Sequence, residues 1–160
     1  MVEERPGDAL SSLFAAGIEL IVVGGTAAVL LGVPLVTEDL DVVHRRTDVN
    51  VDRLLAWLQA HEAYHRFDLA QRRLPVTRES LLGSGHVNLQ TSVGKLDLLC
   101  ELGPGEGYEE LLADTIVLTG PVPVRVLDLP RLIQVKAAAG RAKDRLALPL
   151  LIATLDERRR

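Results

Sequence analysis

The 160-residue chain has one cysteine, three lysines and few aromatics: one tryptophan, two tyrosines and two phenylalanines. A single cysteine excludes an internal disulfide and a cysteine-based zinc cluster. Cys100 falls in an apolar strand and reads as inert core. Lysine occurs only at Lys95, Lys136 and Lys143, so arginine carries most of the positive charge, clustered at Arg45-Arg46, Arg72-Arg73, Arg141 with Arg145, and Arg158 to Arg160. No apolar run reaches the roughly 18 residues of a membrane span. The longest, around Ile18 to Val36, is broken by Glu19, by glycines and by Pro34. The opening MVEERPGDAL lacks the basic start and apolar centre of a signal peptide, which makes the cytoplasm the expected compartment. Neither GxxxxGK[ST] nor GxGxxG is present, so a P-loop and a dinucleotide fingerprint are both excluded. A net charge of −4 argues against a protein that coats nucleic acid, but leaves room for a local basic surface.

A hydrophobic fraction of 48% and a mean hydropathy of +0.19 fit a compact globular chain. The length predicts one domain over 1–160, with a core to about residue 127 and C-terminal helices from about 128. The organising stretch is Ile21 to Val43. An apolar strand runs into Gly24-Gly25-Thr26, a short alanine-rich helix follows, and a second apolar strand, expected over Val36 to Val43, carries Asp39 and Asp41. Side chains alternate along a strand, so Asp39 and Asp41 point one way and Leu40 the other. Two adjacent carboxylates raise each other's pKa, and a divalent cation such as Mg²⁺ relieves the conflict. Paired glycines allow close backbone approach to a ligand, and the helix start offers free N–H groups to an anion. Phosphate at one end and metal at the other suggest a nucleotide site.

The rest of the chain supplies further elements. Residues 8–16 read as a helix stopped by Gly17. A helix from about Val51 to Ala60, capped by Asp48 or Asn50, puts Leu54, Leu55 and Leu58 on its apolar side; Trp57 beside them reads as core or a subunit contact. Residues 65–85 form an irregular polar stretch. His86 to Leu102 reads as a hairpin in which Asp97 interrupts an apolar arm, costly without a partner. Asp128 caps a helix over Pro130 to Ala139, Gly140 ends it, and Asp144 opens another in which Pro149 predicts a kink or break.

GGTAAVLLG…TEDLD resembles the nucleotidyltransferase superfamily, and more closely its bacterial AbiEii-type members, which include toxins of toxin–antitoxin pairs. DLPRLIQVKAAAGRAKD is similar to the closing motifs of that family. The likeness extends over about Ile18 to Leu155. It implies an α/β (α+β) fold with a mixed twisted sheet and flanking helices. It implies two Mg²⁺ ions on Asp39, Asp41 and Asp97, phosphates held by Gly24, Gly25 and Thr26, and contacts to the nucleotide from Lys136 and Asp144. The implied activity is transfer of NMP from an NTP to an acceptor, with RNA, in particular tRNA, as acceptor and a cognate antitoxin as partner. Arg45, Arg46, Arg72, Arg73, Arg141 and Lys143 are the candidates for acceptor binding. Leu35 stands where many relatives carry an arginine. Two alternatives share the same core: adenylyl transfer to a small polycation such as an aminoglycoside, held by Glu38, Glu101 and the Glu106–Glu110 cluster, or a non-catalytic interaction module.

Overall fold

The computed structural model describes residues 6–160. Helix α1 (Pro6–Ala15) stops at Gly17, whose φ of 74° places it in the left-handed region that glycine tolerates. The LIVV run that follows is strand β1 (Leu20–Val23), with Ile21, Val22 and Val23 fully buried. Helix α2 (Gly24–Leu30) follows without a linker, and strand β2 (Leu40–His44) lies antiparallel to β1, Leu20 facing His44 and Val23 facing Asp41. The strand expected from Val36 is therefore shorter: residues 33–39 run irregularly and the ladder begins only at Leu40. The reason is local. Thr26 Oγ1 and Thr37 Oγ1 both donate to the Asp39 carbonyl, at 2.7 and 3.3 Å, and so satisfy it outside the sheet.

Helix α3 (Asp48–Ala60) is capped by Thr47, whose side chain accepts from the Asn50 N–H. Asn50, expected as a cap, is instead buried as a brace. Its Oδ1 accepts from Glu19 N–H at 2.7 Å, and its Nδ2 donates to the carbonyls of Glu19 and Arg45 at 2.9 and 2.8 Å. That ties α3 to the paired ends of β1 and β2. Trp57 is core, donating to Ser12 Oγ of α1 at 2.9 Å.

The stretch 65–85 is less irregular than its composition predicts. It starts in a two-residue strand, β3 (Tyr64–His65), and contains helix α4 (Arg78–Leu82), capped by Thr77. The hairpin forms as expected, from β4 (His86–Thr91) and β5 (Gly94–Leu99). A short helix α5 (Tyr108–Leu111) with one 3-10 turn (Leu112–Asp114) leads into β6 (Thr115–Leu118) and β7 (Val124–Leu127), an antiparallel pair. The strands make one mixed sheet in the order β3-β4-β5-β2-β1-β7-β6, with β2 parallel to β5 and β1 parallel to β7. The fold is thus mixed α/β.

Leu40, Val42, Leu96 and Leu98 form the buried centre of the β2–β5 pair. His44 is buried at its end, with Nε2 2.7 Å from the Leu81 carbonyl, and burial holds its pKa below the usual value. Helix α6 (Leu129–Ala139) is capped by Asp128, which accepts from Arg131 N–H, and ends at left-handed Gly140. Helix α7 (Ala142–Arg158) runs on through Pro149 rather than breaking there, with the proline on an exposed side. Among the described residues no helix is long and apolar enough to cross a membrane.

Candidate active site

The parallel register of β2 and β5 makes Asp41 and Asp97 direct neighbours. Their carboxyls lie within hydrogen-bonding reach of one another. Burial, then the hydrogen bond and charge of Asp97, then the charge of Asp39, push the pKa of Asp41 up to about 7, with Lys143 opposing. A carboxyl so placed has a surplus of negative charge around it and too little water, which suits a hard divalent ion.

Gly24 fixes Asp41 from the other side. Its φ is 65°, and its α-carbon lies so close to the Asp41 carboxylate that a β-carbon would strike Oδ2 and sit 3.2 Å from Cγ. Gly25 plays the same part for Thr37: a β-carbon there would lie 3.1 Å from Thr37 Oγ1. The close approach that two glycines permit is therefore made by the chain's own acid loop. Helix α2 starts at Gly24 after an extended Val23, and Thr26 is buried with its hydroxyl committed to Asp39 rather than open to a phosphate.

Above this face a pocket of about 90 Å³ gathers Gly24, Asp41, Lys136, Arg141 and Asp144, walled by Val23, Leu99, Leu102, Leu127, Leu132 and Val135. Asp144 is fully buried at its rim. It accepts from Lys136 Nζ at 3.0 Å and from Arg141 Nε at 2.7 Å, and takes the Arg141 backbone N–H at 3.3 Å as a capping box. Burial alone would raise its pKa, but Arg141 and Lys136 overcome that and hold it down at about 2. Asp144 is thus an anchor, keeping the Lys136 ammonium on the pocket wall.

The arginines divide. Arg141 lines the pocket and Lys143 acts on Asp41. Arg45 and Arg46 follow the far end of β2 and are paired, Arg45 with Glu19 and Glu109 at 2.9 Å each, Arg46 with Glu101 at 3.0 Å. The structure does not bring them to the site. Arg72 and Arg73 lie on the connection after β3, Arg72 on Asp68 at 3.0 Å and Arg73 over the Tyr64 ring at 5.0 Å. A residue that sequence reasoning missed lies on the same connection: Arg66 donates to Asp97 Oδ1 at 2.8 Å. Only its neighbouring Phe67, Arg72 and Arg73 hinted at a basic and aromatic segment.

No protein-family model matches the chain, and no curated protein does. Among the described residues no three His, Cys, Asp or Glu side chains converge closely enough to enclose a metal ion. Asp39 precedes the ladder and Asp97 gives one oxygen to Arg66, so of the three acids only Asp41 and Asp97 are in direct reach of one another. A larger cavity, about 550 Å³, opens between α3 and the β3–β4 edge near Tyr64 and Gln90, and none of the candidate acids lines it.

Proposed function

We propose that the protein is an Mg²⁺-dependent nucleotidyltransferase that moves NMP from an NTP to an acceptor hydroxyl. The observation that carries this reading is the adjacent pair Asp41 and Asp97, with Gly24 behind Asp41 and Lys136 on the wall of the same pocket. In the reaction the acceptor oxygen bonds to the α-phosphorus, the bond from that phosphorus to the β-bridging oxygen breaks, and pyrophosphate leaves.

Asp41, with Asp39 and Asp97, would hold the metal; when bound, Mg²⁺ lowers the pKa of the acceptor hydroxyl and offsets phosphate charge. The chain itself does the positioning. Gly24 holds the Asp41 carboxylate in place, and the hydroxyls of Thr26 and Thr37 fix the backbone at Asp39. Lys136, steadied by Asp144, offers a point charge to the departing phosphates, and Arg141 a second. The apolar walls of the pocket keep water from the Lys136 ammonium and so strengthen its charge.

RNA as acceptor, with the tRNA end first, and pairing with an antitoxin, rest on the sequence resemblance. Lys143, Arg141 and Arg73 are the basic groups available for it, with Arg72, next to Arg73, held on Asp68. The small-polycation alternative loses support, because Glu101, Glu106 and Glu109 are each committed to an arginine. The experiment is incubation of the protein with each α-labelled NTP, Mg²⁺ and total RNA, beside Asp41→Asn. Label entering RNA with the wild type alone supports the proposal; no transfer to RNA or to a small hydroxyl acceptor with any of the four NTPs overturns it.

A further inference from the structure

Tyr64 of β3 and Phe67, just beyond it, each carry an arginine. The Arg66 guanidinium lies 4.7 Å from the centre of the Phe67 ring, and that of Arg73 lies 5.0 Å from the centre of the Tyr64 ring. Phe67 is 75% exposed, the most exposed aromatic among the described residues, so its ring is covered by Arg66 and otherwise open to solvent. Arg66 is itself fixed. Its backbone N–H donates to the Asn88 carbonyl at 2.9 Å, Nη1 to the Leu89 carbonyl at 2.8 Å, and Nη2 to Asp97 Oδ1 at 2.8 Å. An aromatic ring held in water against a fixed guanidinium forgoes burial in the core and is a platform on which a flat π-system can stack.

The surroundings supply what a nucleotide strand needs besides stacking. Register sets Tyr64 opposite Gln90 and Gln90 opposite Lys95, so the three share one face of the sheet. Two residues back along β4, Asn88 lies opposite Asp97, and Asp97 opposite Asp41, on that same face. Lys95 is exposed, and Arg73 joins no carboxylate among the described residues, so both can take a phosphate. Tyr64, Arg66 and Arg73 line a cavity of about 310 Å³ with Gln71 on its wall, a size that admits a small planar group. Gln71 and Arg73 both have a φ of 51°, a left-handed backbone that residues with a β-carbon seldom adopt. A duplex hides the faces of its bases, whereas an unpaired strand offers them. We infer that this face binds an unpaired RNA strand, with one base stacked on Phe67 and phosphates on Arg73 and Lys95, and that Arg66 links the strand to the Asp41–Asp97 pair. This rests on the RNA-acceptor reading above and specifies it: the acceptor is single-stranded where it meets the protein.

The test is fluorescence anisotropy of a labelled RNA of about 12 nucleotides without self-complementarity, alone and annealed to its complement, at about 0.15 M salt with EDTA and no NTP. The single strand should bind at least about tenfold more tightly than the duplex. Phe67→Ala should weaken single-strand binding about tenfold, and Phe67→Trp should keep it. Lys95→Gln should lower the salt slope by about 0.7, the share of one phosphate on a single strand. Equal affinity for the two forms, Phe67→Ala binding as the wild type, or an unchanged slope in Lys95→Gln overturns the inference. Binding of neither form also overturns it, and marks Phe67 as an apolar contact for a protein instead. Since no NTP is present, a bound single strand without nucleotidyl transfer sinks the transferase proposal and leaves this inference standing, while transfer without strand preference does the reverse. The comparison of strand with duplex needs no variant.

Discussion

The α-carbon of Gly24 rests against the side chain of Asp41, leaving no room for a methyl group between them. Two penalties therefore meet in Gly24→Ala: a left-handed φ of 65° and a collision with a carboxylate that Asp97 and the sheet already confine. Each is worth roughly 1–3 kcal/mol. We expect a lower denaturant midpoint together with loss of nucleotidyl transfer. Wild-type stability in this variant would mean that the Asp41 side chain is free to move away.

Asp41→Asn separates stability from activity. A folded pKa near 7 against 3.8 means that the native state keeps a proton which the unfolded chain gives up as pH rises. The wild type is therefore penalised progressively between about pH 4 and pH 7, and the penalty persists above that. The asparagine variant should be more stable than wild type at pH 8, by up to ~4 kcal/mol, and about equally stable at pH 4. Added Mg²⁺ should close the gap by stabilising the wild type alone. Melting curves across pH, with and without Mg²⁺, give the comparison, and a variant less stable at pH 8 would contradict it.

Lys136 and Asp144 should behave unequally although they share one ion pair. Asp144→Asn leaves Lys136 and Arg141 without their common carboxylate and removes half of a capping box, a loss of about 3 kcal/mol. Lys136→Ala leaves Asp144 still served by Arg141, so it should cost less and act mainly on substrate. We expect a raised KM for NTP and unchanged Mn²⁺ binding. Equal destabilisation of the two variants by urea would show that the Lys136 contact, not that of Arg141, holds the helix start.

Acceptor binding gives the sharpest division among the arginines. Arg73→Glu, alone or with Arg72→Glu, should reduce RNA labelling and leave NTP binding unchanged, while Arg45→Ala and Arg46→Ala should change neither. Arg45→Ala ends half-exposed ion pairs worth up to about 1 kcal/mol, whereas Arg46→Ala ends a largely buried pair with Glu101 and should cost more stability. RNA affinity should fall steeply with salt in the wild type and less steeply in the Arg72 and Arg73 variants. A salt slope untouched by those changes would remove this connection from the acceptor path.

Much of the sheet could be read in advance because its signals are local. Alternation put Asp41 opposite Leu40, and Asp97 opposite Leu96 and Leu98, on the correct faces, and glycines marked the ends of α1 and α6. The apolar run from Val36 to Val43 reads as one strand that includes Asp39; the two threonine hydroxyls that take its carbonyl out of the ladder act across 13 and 2 residues and leave no periodic trace. Asn50 looks like a cap in a sequence, and only the pairing of β1 with β2 gives it three partners at once. Arg66 was invisible for a similar reason. Its partners, Leu89 and Asp97, become neighbours only when β3 joins β4 and β4 joins β5.

The position of β1 in the sheet also governs when the chain acquires this chemistry. β1 lies between β2 and β7, so one of its edges is completed by residues 40–44 and the other only by residues 124–127. Asp41 waits 56 residues for Asp97, and the lysine on the pocket wall waits for Asp144. During synthesis, which proceeds from the N-terminus, the first 90 residues contain the glycines and the Asp-x-Asp pair but neither the opposing acid nor the phosphate-facing cations. A ribosome-bound or truncated product of that length lacks the Asp41–Asp97 pair, and the ion pair of Lys136 with Asp144 forms only once the last two helices are made.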